Sequence, residues 1–250
     1  MENIITTTLI GLFFGTFGTT LGGIIGIFSK RNTNRFLSFI LAFAGGLMMS
    51  IVCFDLIPEA LEITNIVIVI IGILLGIVVM MLCEKIINKI MNNNTNTQPT
   101  DSREKNLLKM GIIISVGLAL HNIPEGLAIG SGFESSMKLG LALAIAICLH
   151  DIPEGISMAI PMKHGGMKKI KVIIAIILSG LTTGIGAFIG AIVGSISEEV
   201  IAICLSFAAG CMLYIVSGEL IPESNKLHRG RLTAIGNIIG LIMGIFTTLL

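Results

Sequence analysis

A five-residue pattern recurs four times in the chain, as Asp55-Leu-Ile-Pro-Glu59, His121-Asn-Ile-Pro-Glu125, His150-Asp-Ile-Pro-Glu154 and Glu219-Leu-Ile-Pro-Glu223. Four of the six prolines are spent on it. Residues i and i+4 are neighbours on one helix face, so each copy sets a carboxylate or imidazole beside a glutamate. The intervening proline has no N–H for the carbonyl four residues back and loosens the helix there. Imidazole combined with carboxylate is a ligand set for zinc, iron, manganese and similar ions, and requires no thiolate. Protons compete for both ligand types, so occupancy by metal weakens in acid. Cys53, Cys83, Cys148, Cys204 and Cys211 form no CxxC pair and lie in or beside apolar runs. They read as small buried hydrophobes rather than a disulfide framework.

The elements that carry these motifs are apolar. The chain is 54% hydrophobic and only 12% charged, with a mean hydropathy of +0.97. A water-exposed surface needs more charge than this, whereas a bilayer tolerates it. The expected class is therefore an all-α integral membrane protein whose solvent is lipid. A net charge of +1 makes no case for nucleic acid. About 20 apolar residues span a hydrocarbon core as a helix. Eight stretches qualify: 4–28, 36–58, 64–88, 110–131, 138–161, 170–194, 199–221 and 232–250. They form one transmembrane domain over 1–250, with a polar loop at 92–106 expected to be disordered. Met1-Glu2-Asn3 lacks a basic leader, so the first run is expected to be a retained helix. Every lysine and arginine except Lys138 falls in or beside alternate connections, between segments one and two, three and four, five and six, and seven and eight. Basic loops stay cytoplasmic. This predicts a multi-pass protein of the cell (inner or plasma) membrane with both termini extracytoplasmic and 92–106 inside. Gly11, Gly15, Gly18, Gly22 and Gly26 line the first segment, a spacing that predicts close helix contact.

Depth distinguishes the four motifs. His121 falls about 12 residues, roughly 18 Å, beyond the cytoplasmic Lys109, and His150 a similar distance from Lys138. The two central motifs thus meet near the midplane on antiparallel helices, with Asn122 and Asp151 about 100° further around each. Ionisable residues at that depth are costly and functional by default. Asp55 and Glu59 lie near the extracytoplasmic end of segment two, and Glu219 and Glu223 near the cytoplasmic end of segment seven. The series reads as an acidic entrance, a central site and an acidic exit. His164 and His228 are expected to be solvated in basic loops, and Cys148 to be packing.

The paired HNIPEG at 121–126 and HDIPEG at 150–155, with DLIPEA at 55–60 and ELIPES at 219–224, resemble the ZIP family of divalent-metal transporters, its bacterial GufA-like branch most closely. The resemblance covers essentially the whole chain. It implies an eight-helix ZIP-type bundle and a homodimer rather than an enzyme. The implied cargo is Zn2+, and variably Fe2+, Mn2+, Co2+ or Cd2+, taken up into the cytoplasm. It also implies a binuclear site between helices four and five, with a block containing those helices moving against the rest. Carried over by motif, the main site is His121, Glu125, His150 and Glu154. The adjoining site is Asn122 and Asp151 with the two glutamates shared. Members with the second site carry a glutamate before a proline on helix six. Here the stretch is Ser179-Gly-Leu-Thr-Thr-Gly184, with Thr183 at the acid's place, which implies a second metal bound weakly or not at all. Many relatives have a histidine-rich loop between helices three and four, but 92–106 contains no histidine.

Two rivals fit less well. An intramembrane zinc protease would show HExxH, which is absent here. A transporter of a small solute coupled to Na+ or H+ would use acidic sites but has no need for paired histidines. The metal reading predicts that purified protein holds a transition ion at neutral pH. The double variant His121→Ala with His150→Ala should lose that ion, as measured by metal content and titration.

Overall fold

Long runs of Leu, Ile, Val, Met and Ala without turn residues leave the backbone one way to satisfy itself in an apolar setting, the α-helix. A computed structural model of the chain describes residues 2–29, 33–94 and 103–248. The helices are α1 (Glu2–Phe28), α2 (Asn34–Ile51), α3 (Ile57–Ile63), α4 (Ile66–Asn94), α5 (Arg103–Ser135), α6 (Met137–His164), α7 (Lys169–Gly194), α8 (Glu198–Ile215), α9 (Ile221–Leu227) and α10 (Arg231–Thr248). Three starts are capped by the hydroxyl that precedes them: Thr33 accepts from the Phe36 N–H, Ser136 from Leu139 and Ser197 from Val200. Among the described residues, six helices are long and apolar enough to cross a membrane: Ile4–Phe28, Asn34–Ile63, Ile66–Ile86, Met137–His164, Lys169–Gly194 and Glu198–Leu227. The polar loop expected at 92–106 is shorter than the sequence implied, because α4 runs to Asn94 and α5 begins at Arg103; residues 95–102 lie outside the described residues.

Two of the six are made of two α-helices joined by a π turn, Val52–Leu56 between α2 and α3 and Val216–Leu220 between α8 and α9. In each the residue after the turn bonds five back, Ile57 N–H to the Val52 carbonyl and Ile221 N–H to Val216. The extra residue moves Pro58 and Pro222 into the first turn of a fresh helix, where a missing N–H costs nothing. The rods therefore continue past their prolines, to Ile63 and Leu227, further than the expected ends at 58 and 221. Pro124 and Pro153 instead sit inside unbroken α-helix.

The helices pack in two groups. Helices α1, α5, α6 and α7 contact one another extensively, while α2 pairs with α10 and α4 with α8. The pattern repeats within the chain. If α1, the α2–α3 rod and α4 are exchanged with α7, the α8–α9 rod and α10, and α5 with α6, then α1·α6 becomes α7·α5 and α2·α10 becomes α8·α4. The bridging contact α2·α6 likewise becomes α8·α5, and all these pairs are present. Side chains between the groups are apolar: Ile129, Leu143 and Ile147 share a cluster with Met48, Ile51, Leu205 and Met212. Apolar residues also cover the outside, most densely on α4, where Ile66, Val67, Ile70, Ile71, Leu74 and Leu75 are exposed. That surface suits lipid.

The glycines of α1 define how tightly the first group packs. A Cβ at Gly22 would lie 2.0 Å from the Ile152 carbonyl oxygen, and one at Gly155 2.1 Å from the Thr19 carbonyl oxygen. At Gly45 the nearest atom would be 3.5 Å away, an ordinary contact. Gly22→Ala should therefore cost about 2 kcal/mol or more, because a backbone must move, whereas Gly45→Ala should stay within about 0.5 kcal/mol. Thermal unfolding of the two variants in detergent checks the contrast.

Candidate metal centre

Helices α5 and α6 are consecutive, antiparallel and separated by the cap residue Ser136. Close approach between them is allowed by Gly132 and Gly140, which face Leu143 and Phe133 across the contact. This hairpin brings the two central motifs together. His150 Nε2 lies 2.9 Å from Glu125 Oε1 and 3.5 Å from Asp151 Oδ1. One ligand atom from each of Glu125, His150 and Asp151 falls within 4.8 Å of the others, and all three side chains are fully buried. Glu154, one turn beyond His150, is buried as well, as is Asn122, whose Nδ2 donates to the Ser179 carbonyl at 3.0 Å.

The arrangement differs in one respect from the expected pairing of His121, Glu125, His150 and Glu154. Asp151 belongs to the compact cluster instead of standing apart from His150. Adjacent residues diverge by about 100° at Cβ, but the imidazole carries Nε2 far beyond its Cβ. Closing on Glu125 brings that nitrogen over the Asp151 carboxylate. Asp151 fits here because α1 is smooth at this level: a Cβ at Gly18 would lie 2.8 Å from the Asp151 Cβ. Of His121 and Glu219 the backbone alone is described, and their side chains lie outside the described residues.

One imidazole and two carboxylates in a dry interior make a poor resting state without a cation. Desolvating each charge costs several kcal/mol, recovered only by opposite charge and hydrogen bonds in good geometry. A nitrogen with several carboxylate oxygens within bonding reach of one point suits zinc and its neighbours.

The outer motifs stand away from this cluster. Asp55 is half-buried in the first π turn. Glu59, on α3, accepts a hydrogen bond from Ser135 at the end of α5 and so ties the outer group of helices to the site-bearing hairpin. Glu223 is paired with Lys226 Nζ at 3.1 Å in an exposed i,i+3 contact. Ser135 carried no signal in the sequence, since a terminal serine becomes informative only once its partner is known. A second contact was also missed: Tyr214 on α8, the chain's single tyrosine, donates to Glu84 on α4. An acid directly after the apolar run Met80–Cys83 was the available clue. His164 and His228 are half-buried rather than solvated, because α6 extends to His164 and His228 caps α9.

Removing the imidazole leaves Glu125 and Asp151 facing each other without their central partner. His150→Ala should therefore destabilise even the metal-free protein, by about 3 kcal/mol. Unfolding in the presence of chelator, wild type beside variant, measures this separately from any loss of metal.

Comparison with known proteins places the chain in a family. A family model described as ZIP Zinc transporter matches residues 4–109 and 102–250. The zinc transporter ZupT of Campylobacter jejuni is 30% identical over 285 aligned positions, covering 100% of this chain and 98% of its own length. ZupT of Clostridium perfringens is 28% identical, covering 97% of this chain and 95% of itself. The zinc transporter ZIP11 of Xenopus tropicalis is 34% identical over 139 residues, which is 53% of this chain and 41% of that longer protein. With helices built to cross a membrane and a family match from one end to the other, the chain belongs to the ZIP zinc transporter family.

Proposed function

We propose that this protein is a transporter, not an enzyme, and that it carries divalent transition metal, zinc first, through the cell membrane into the cytoplasm. The observation that carries the reading is the buried Glu125–His150–Asp151 cluster at the meeting of two proline-bearing motifs, in a chain of the ZIP family. Zinc is the cargo named for the ZupT and ZIP11 relatives. Fe2+, Mn2+, Co2+ and Cd2+ accept the same ligands and are secondary candidates. His121 and Glu154 complete the site, one turn from Glu125 and His150 on their respective helices. Asn122 stands beside it, held by Ser179.

In this reading the chain crosses the bilayer eight times as a single domain. Helices α5 and α10 supply the two spans beyond the six longest apolar ones, and both termini are extracytoplasmic. The basic loops support that orientation. Metal enters past Asp55 and Glu59, and leaves past Glu219 and Glu223. The glycine contacts support α1, α5, α6 and α7 acting as one rigid body. Gly18 and Gly22 meet α6, Gly15 meets α7, and Gly126, Gly186 and Gly190 join α5 to α7. The body would rock against the remaining helices, which in turn would pair with a second copy.

A flux assay tests the assignment. Liposomes containing the wild type should take up zinc, and those containing Glu125→Ala or Glu154→Ala should show no more than empty vesicles. Equal uptake by the variants would remove these residues from the pathway.

A further inference from the structure

The exchange that relates the two halves of the chain carries the α2–α3 rod onto α8–α9 and α5 onto α6. It sets Asp55-Leu-Ile-Pro-Glu59 against Glu219-Leu-Ile-Pro-Glu223, so Glu59 corresponds to Glu223. It also sets His121 against His150. Ser135 and His164 stand equally far beyond those two histidines, at the ends of α5 and α6. The counterpart of the Ser135–Glu59 hydrogen bond is therefore a contact between His164 and Glu223.

The structure makes the first contact and gives Glu223 a different partner. Ser135 donates to Glu59 across the boundary between the two helix groups, at the tip of the α5–α6 hairpin. At the opposite end Glu223 turns to its own helix, where Lys226 Nζ lies at 3.1 Å and the glutamate side chain is 37% exposed. An exposed pair of this kind contributes little and is easily exchanged for another. Apolar packing shows the same asymmetry. Ile201 near the start of α8 and Phe133 beside the hairpin tip pack into the main cluster between the groups. Leu37, which the exchange sets against Ile201, lies with Ile156 and Ile160 in a small cluster of its own. The boundary is thus closed more firmly at the hairpin end than at the other.

Halves related in this way give a molecule two equivalent arrangements, each closed at one end. We propose that Glu59 and Ser135 form an outer latch, and that Glu223 and His164 form its inner counterpart, made when the outer one is broken. The inference rests on the transport reading and gives Glu59 and Glu223 a holding role beyond lining the way in and out. Each latch is one hydrogen bond to a carboxylate, strong enough to bias a two-state balance and weak enough to break. Neither includes a residue of the buried cluster.

Disulfide trapping of the full-length protein, with chelator throughout and the five native cysteines replaced by alanine, tests this. Glu223→Cys with His164→Cys should cross-link slowly under mild oxidant. Adding Ser135→Ala, which opens the outer latch, should speed that cross-link roughly tenfold. Ser135→Thr keeps the hydroxyl and should leave the rate unchanged. Equal rates with and without Ser135→Ala would overturn the alternation, as would equal speeding by Ser135→Thr or the absence of any cross-link. Where the cysteine variants fold poorly, backbone hydrogen exchange of the Ser135→Ala protein reads the same shift. Exchange should rise at α3 and the hairpin tip and fall at α9 and the end of α6; no fall at α9 would overturn the inference. Both measurements exclude zinc and wild-type zinc uptake is read separately, so a failed latch and a failed transport assignment are told apart.

Discussion

Charge buried in a low-dielectric interior constrains this molecule more than any other interaction. Glu125, His150, Asp151 and Glu154 are all shielded from solvent, in a chain only 12% charged. Three carboxylates around one described imidazole exceed what that imidazole can neutralise. The excess negative charge has to be met by a proton or a metal ion, and a site that must take a cation to be comfortable is a site with affinity for one. The surrounding helices serve that requirement. The α5–α6 hairpin sets the two motifs at one level, and Gly18 on α1 provides the concavity into which Asp151 fits.

Glycine is used for a second purpose, which is to divide the structure. Among the described residues, no glycine has its nearest neighbours across the boundary between the α1, α5, α6, α7 group and the other helices. Contacts such as Gly22 on Ile152 and Gly186 on Ile123 stay within the first group, and Gly46 on Asn237 and Gly210 on Ile73 within the second. Backbone-to-backbone packing is stiff, because neither side has a rotamer to yield. The boundary itself is made of Ile, Leu, Met and Ala side chains, which can slide and repack. Rigidity inside each group and adaptability between them follow from where small residues were placed. The exceptions to the apolar boundary are few, with the Glu59–Ser135 hydrogen bond the clearest among them.

Much of this was legible in the residues, because period and composition are local properties. Apolar runs and the fourfold motif located the helices and the central pair, and small-residue spacing on α1 foretold tight packing. What could not be read depends on reach and partner. Asp151 sits in the cluster because the His150 ring extends over it, a consequence of side-chain length that helical angles at Cβ do not capture. Ser135 matters through Glu59, some 76 positions away. Rod lengths were underestimated at segments two and seven, where a π turn lets each rod continue past its proline.

That difference between the outer and central prolines follows from what precedes each one. A proline inside an unbroken helix leaves the carbonyl four residues back without its partner. For Pro124 and Pro153 those carbonyls belong to Leu120 and Leu149, beside His121 and His150. For Pro58 and Pro222 they would belong to Phe54 and Gly218, away from the buried cluster. The π turn resolves the problem by inserting one residue, so that the proline opens a helix instead of interrupting one. One motif thus meets two backbone solutions according to whether charge is buried next to it. The same sequence pattern stays α-helical beside the buried cluster and follows a π turn in the two outer rods.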